Sequence, residues 1–233
     1  MFTLQQLRSQ IYELLNIQSD DSDIDDRLID DLIIGKRQSW LEREFAKTLA
    51  FDRDIVQDLG CVATKQVDPE ECCGDTTEDC YVVRTTVKLP TTLVLNSTKG
   101  FTRIGPTNKF EKQYTYVSFE RVPFVGKGKY NKSIVYAFLL NGYIYLLSNN
   151  DAVHMIEKIN VQGMFVDPTE ASDFNDCDGA PCFSPLDKYP LPADMWEVIK
   201  KEIRAELLGK LSVPKDETND SQDQATDQAT PMK

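Results

Sequence analysis

The chain has 233 residues, with 38 Asp and Glu against 26 Lys and Arg, a formal charge of −12, and 41% hydrophobic residues. These values fit a globular protein of one large or two small domains, and an acidic surface of this kind repels nucleic acid. No run of about 18 apolar residues suggests a membrane span, and the opening Met1-Phe-Thr-Leu lacks the basic-then-apolar plan of a secretion signal.

Thr3 and Gln6 form a capping box, and Leu4, Leu7, Ile11, Leu14 and Leu15 make one apolar face, predicting a helix to about residue 16. Asp20-Asp-Ser-Asp-Ile-Asp-Asp26 follows. A calcium loop begun at Asp20 needs glycine at its sixth position and glutamate at its twelfth; the chain has Asp25 and Asp31 there. The carboxylates read instead as charge at the positive end of a second helix. That helix carries Ile24, Leu28, Leu32, Ile33, Trp40, Leu41 and Phe45, runs to about Thr48, and holds Gly35 and Ser39, small enough for close helix approach. Its length calls for a partner, either the C-terminal helix or a neighbouring subunit. Residues 1–50 are thus a helical hairpin.

Residues 51–80 read as an acidic, cysteine-containing linker. Cys61, Cys72, Cys73 and Cys80 sit in it, with Cys177 and Cys182 far downstream. The spacing lacks the paired C-x2-C of a zinc site, and adjacent Cys72 and Cys73 cannot easily both ligate one tetrahedral ion. Packed or loop thiols are the preferred reading over a disulfide or structural zinc.

From Tyr81 the period changes to two. Strands are expected over Tyr81–Leu89, Thr92–Leu95, Phe101–Ile104, Tyr114–Phe119, Ile134–Leu140, Tyr143–Leu147 and about Met155–Val166. Asn141-Gly142 is the strongest hairpin signal among them. Residues 81–166 therefore form an antiparallel sandwich or barrel of five to seven strands. Residues 167–191 read as an irregular loop. Pro192 opens a helix over 192–211 with Met195, Trp196, Ile199, Ile203 and Leu207 on one stripe, stopped by Gly209 and Pro214. Residues 212–233 are polar and acidic and should be disordered in isolation, able to order on a partner. The fold class is α+β.

No catalytic set is visible. His154, at the head of a strand pattern, is the single histidine, and no nucleophile elbow, phosphate loop, dinucleotide loop or zinc helix motif occurs. No cofactor or metal is expected. The aromatic strands (Tyr114, Tyr116, Phe119, Tyr136, Phe138, Tyr143 and Tyr145) read first as packing, with a binding face as the alternative: an intracellular ligand- or protein-binding module.

The order of these pieces resembles a virion structural protein of tailed phages, in particular a head-to-tail connector ring protein of the crAss-like podoviruses. The stretches that carry the resemblance are Lys36-Arg-Gln-Ser-Trp40-Leu-Glu-Arg, the acidic segment with Cys72-Cys73 and Cys80, the Val83-Arg84-Thr85 strand to Leu89-Pro90, the Tyr136-Ala-Phe-Leu-Leu hairpin, and Tyr189-Pro-Leu-Pro with the closing Pro214-Lys-Asp-Glu-Thr-Asn-Asp. The resemblance implies a non-enzymatic ring subunit, in twelve copies, joining the portal protein to neighbouring tail or ring proteins around the DNA channel. Genomic DNA would pass an acidic lumen without specific binding. The protein would be made in the host bacterial cytoplasm and end in the virion. The subunit interface implied combines Leu28, Leu32, Gly35, Ser39 and Trp40 of the long helix with Met195, Trp196 and Ile199 of the terminal one.

Overall fold

Helix α1 (Leu4–Leu15) begins where the capping box puts it. Thr3 Oγ1 accepts the Gln6 N–H at 3.3 Å, and Gln6 Oε1 accepts the Thr3 N–H at 3.0 Å. The computed structural model describes residues 2–15, 25–48, 53–67, 82–95, 98–126, 128, 130–131 and 133–211. Cys72, Cys73, Cys80, most of the acidic run at 20–26 and the arm 212–233 lie outside them. Helix α2 (Asp26–Thr48) follows. Asp25 caps it by accepting the Arg27 N–H at 3.2 Å, as the capping reading of the carboxylates expects.

Helix α3 (Ala193–Leu211) lies antiparallel to α2 and supplies the partner that helix needs. Met195, Trp196, Ile199, Ile203 and Leu207 are all buried, and Trp196 Nε1 donates to Gln10 Oε1 of α1 at 2.7 Å. Two ion pairs flank the seam, Lys36–Glu206 at 2.9 Å and Arg43–Glu202 at 3.4 Å. Partly exposed pairs contribute about 0–1 kcal/mol each. Each fully buried apolar side chain contributes about 1.5–3 kcal/mol, so packing decides the docking of α3. The helix runs through Gly209, where a stop was expected; one glycine costs a helix only about 1 kcal/mol and does not by itself end it.

Among the described residues nine strands complete the fold: β1 (Gln57–Val67), β2 (Val82–Thr85), β3 (Val94–Leu95), β4 (Thr98–Lys99), β5 (Phe101–Gly105), β6 (Thr115–Tyr116), β7 (Tyr136–Leu140), β8 (Tyr143–Leu147) and β9 (Lys158–Gly163). Seven form one sheet in the order β5-β9-β1-β2-β8-β7-β6, and β3 and β4 form a separate hairpin. The first half of β1 pairs with β9 (Val62 opposite Ile159), the second half with β2 (Val67 opposite Val82). The two outer strands approach each other as well, since the Tyr114 N–H donates to the Ile104 carbonyl at 2.7 Å. The result is a mostly antiparallel, nearly closed barrel. Its interior shares one apolar core with the three helices.

Several sequence expectations change here. The 51–80 linker contains β1, the longest strand among the described residues. A bulge between Asp58 and Cys61 resets its in–out alternation, which hid the period of two. Cys61 is disulfide-bonded to Cys177, with Cα atoms 5.0 Å apart, where packed thiols were expected; Cys182 is free. The 81–89 strand is shortened to Val82–Thr85. The Tyr114–Phe119 strand reduces to Thr115–Tyr116, pairs parallel with β7, and passes into a 3-10 turn at Phe119–Phe124. His154 sits in another such turn, Asp151–Met155, ahead of the last strand. The Asn141-Gly142 turn stands as read, with φ of 52° and 84°, both positive as the two-residue hairpin requires.

Arg37 joins the layers. It falls on the same line of α2 as Ile29, Ile33 and Leu41 and is completely buried. Its Nε donates to the Pro190 carbonyl at 3.0 Å and one Nη to the Phe165 carbonyl at 2.8 Å. Its guanidinium lies 6.0 Å from the Tyr189 ring centroid. Burial lowers the Arg37 pKa and raises that of Tyr189. Arg37→Ala is expected to cost about 3 kcal/mol in chemical denaturation, because two buried carbonyls lose their donor and a cavity opens. Arg37→Lys should recover less than half, since one ammonium cannot match the fork.

Candidate assembly surfaces

The outward side of α2 is built from the residues that its buried line leaves over. At 100° per residue, Leu28, Gly35, Ser39 and Ala46 fall within roughly 20° of one line. All four are exposed. Nothing stands within 4 Å of where a Cβ on Gly35 would sit. Leu28 is 38% exposed, and Val198 and Leu208 lie open on the outer side of α3.

Of the residues implied for a subunit interface, Leu28, Gly35 and Ser39 share this open line. Leu32 and Trp40 are half-buried and pack against the chain's own core. Met195, Trp196 and Ile199 are buried within the chain, facing α1 and α2, and have no surface left for a neighbour. The stripe that identified α3 is its inward face. The aromatic strands are likewise packing: Tyr136, Phe138 and Tyr145 are buried, Phe138 and Tyr145 stack at 5.3 Å, and Arg84 lies 4.1 Å above the Tyr143 ring. Tyr114, Tyr116 and Tyr143 are partly buried against the same packing and Phe119 stays 50% exposed, which leaves little of the open aromatic face on which the binding-module alternative relied.

A second surface, not read from the sequence, lies at the loops around β6. Phe110 is fully exposed at the β5–β6 turn, Phe124 is 82% exposed and Tyr130 is 88% exposed. The β5–β6 loop is braced from below. One Nη of Arg103 donates to the carbonyls of Asn108 and Glu111 at 3.2 and 3.3 Å, and Asn108 Oδ1 accepts the Phe110 N–H at 3.1 Å. Lys109 reaches Asp58 at 2.5 Å. The signal available in the sequence was the company Phe110 keeps, an aromatic residue set between Lys109 and Lys112 beside Gly105-Pro106.

Asp58 anchors that loop to the barrel. Its carboxylate accepts the Gly60 N–H at 2.9 Å, Asn160 Nδ2 at 2.6 Å and Gln162 Nε2 at 2.9 Å, besides Lys109. Burial acts to raise its pKa, but these four donors outweigh it and hold Asp58 below the usual carboxylate value. Gly60 (φ 65°) makes the bulge possible, since a Cβ there would stand 2.6 Å from Asp176 Cα. Nearby, the free Cys182 thiol is pushed up to about 11 by burial and by Asp58 and Asp176, so it stays protonated at neutral pH. Among the described residues no group of three or more His, Cys, Asp or Glu is placed to hold a metal, and no helix is long and apolar enough to cross a membrane.

Because the folded pKa of Asp58 is depressed, its stabilisation is complete above about pH 3.8, the unperturbed value, and is lost as pH falls through the folded value. Asp58→Asn is therefore expected to lower the melting temperature at pH 7. The gap to the parent chain should narrow in thermal melts taken below that pH.

Comparison with known proteins supplies the family. Residues 6–227 match the family described as phage tail ring protein 2. Ring protein 2 of Bacteroides phage crAss001 is 25% identical over 228 residues, covering 97% of this chain and 99% of that relative. With a family match over nearly its whole length, this α+β chain belongs to the phage tail ring protein 2 family.

Proposed function

We propose that the protein forms a ring of twelve copies in the head-to-tail connector, between portal and tail, where it supports the DNA channel without chemistry of its own. Its family makes it a structural ring protein of the phage particle. The observation that carries the subunit contact is the open Leu28–Gly35–Ser39 line on a helix whose opposite side is locked into the core. A flat, small-residue helix surface held rigid from behind lets a neighbouring element approach closely at little entropic cost. Genomic DNA passes the ring without sequence-specific contacts, since the net charge of −12 repels phosphate.

Two measurements test this reading. Quantitative mass spectrometry of purified virions should give a ratio to the portal protein near one or a small whole number; absence from the particle overturns it. Gly35→Arg should leave the melting temperature of the monomer unchanged or slightly raised, because arginine favours a helix over glycine by about 0.5–1 kcal/mol and nothing within 4 Å obstructs it. The same change should abolish incorporation into rings, read by negative-stain microscopy of assembled particles. Intact rings would remove the α2 line from the interface.

A further inference from the structure

Within a chain of net charge −12, residues 101–135 hold seven Lys and Arg against two Glu. This is the stretch that presents Phe110, Phe124 and Tyr130. At its base lies a cavity of about 570 Å³ between the 3-10 turn Arg53–Ile55 and the β5–β6 loop. Arg53, Arg103 and Lys109 line it, with Asp58, Thr102 and Gln162. Lys109 is neutralised by Asp58. Arg53 has no carboxylate partner among the described residues, and Arg103 Nε is buried without an acceptor. Arg53 therefore offers an unpaired guanidinium to the open cavity, Arg103 adds positive charge from its wall, and exposed Lys112 adds more on the same loop as the braced and fully exposed Phe110. Guanidinium forks of this kind match carboxylates in two-pronged hydrogen bonds.

Resting on the ring reading, we propose that this cavity and its Phe110 rim are the acceptor for the acidic C-terminal arm, residues 212–233, of a second copy of the chain. The arm carries Asp216, Glu217, Asp220, Asp223 and Asp227 against Lys215 and Lys233, opposite in sign to the acceptor. Direction favours a neighbour. Glu206 pairs with Lys36 and Glu202 with Arg43, so α3 ends toward the start of α2, whereas Arg53 follows the end of α2. The arm thus leaves its own copy at the opposite end of the helical layer from its own cavity. Its 22 residues reach at most about 70–80 Å when extended, enough to cross to an adjacent subunit. Electrostatics brings the arm in, and the phenylalanine gives it an apolar stop.

The test is a titration of a fluorescent peptide of residues 212–233 with the full-length protein, followed by anisotropy. Three protein forms are compared: the parent chain, Arg53→Glu/Lys112→Glu, and Phe110→Ala. A fourth carries amides at the five arm carboxylates, so that no arm in cis competes. The expected result is saturable binding, tightest to the fourth form, weakened at least tenfold by Arg53→Glu/Lys112→Glu and by 0.5 M salt, and severalfold by Phe110→Ala. Melting curves confirm that the exposed substitutions leave the fold intact. No saturable binding to the fourth form overturns the proposal. So does binding that ignores the double charge reversal, or tighter binding of a 20-base-pair duplex than of the peptide. The titration uses isolated protein, so its failure is read separately from the virion copy number that tests the ring itself.

Discussion

Arg37 reaches from the middle of α2 to two carbonyls in different parts of the chain: Phe165, just after the last barrel strand, and Pro190, just before α3. A buried guanidinium loses hydration that no carboxylate contact restores here, so it persists only because backbone acceptors converge on it. Those acceptors are held in place by the elements they terminate. The barrel fixes Phe165, the docked α3 fixes Pro190, and α2 supplies the cation between them. Removing any one leaves a charged or polar group without a partner in a core that excludes water. The helical layer and the barrel are therefore one mechanical unit, and the outer line of α2 is presented at a fixed angle to the loops around β6.

The barrel owes its shape to a comparable local device. β1 must serve β9 with its first half and β2 with its second. The bulge at Asp58–Cys61 lets one strand make that turn, with Gly60 in the left-handed region and the Cys61–Cys177 bond holding the bend to the 174–182 loop. Asp58 is drawn into the same bend, and through Lys109 it sets the base of the β5–β6 loop. The geometry of the exposed Phe110 thus depends on a bulge more than 40 residues away in sequence.

Helices were the most legible part of this sequence, because capping boxes and apolar stripes are local. Thr3 with Gln6 and the Met195-to-Leu207 stripe located α1 and α3 closely. On one point the resemblance went further than the stripe did: it implied an intersubunit contact through Met195, Trp196 and Ile199, and the structure turns all three inward. A stripe says that a helix face is covered, and says nothing of what covers it. β1 was missed because its bulge broke the alternation, and the 115–124 region because a parallel pairing of two residues leaves no periodic trace. Arg37 was legible in principle, since it stands at i+4 from Ile33 and i−4 from Leu41 on the buried line. The cavity beside Arg53 and Arg103 was not, because a strand, a turn and a loop from distant positions meet there.

The ends of the folded body meet each other. The Tyr189 N–H donates to the Phe2 carbonyl at 2.9 Å, Thr3 bridges to Lys188, and Trp196 closes on Gln10. α1 and α2 have no complete surface to pack on until α3 joins them, and α3 begins more than 140 residues after α2 ends. Contacts this distant in sequence form late. Until that closure the inward faces of α1 and α2, with Leu7, Ile11, Ile29 and Ile33, are apolar surface without their full cover.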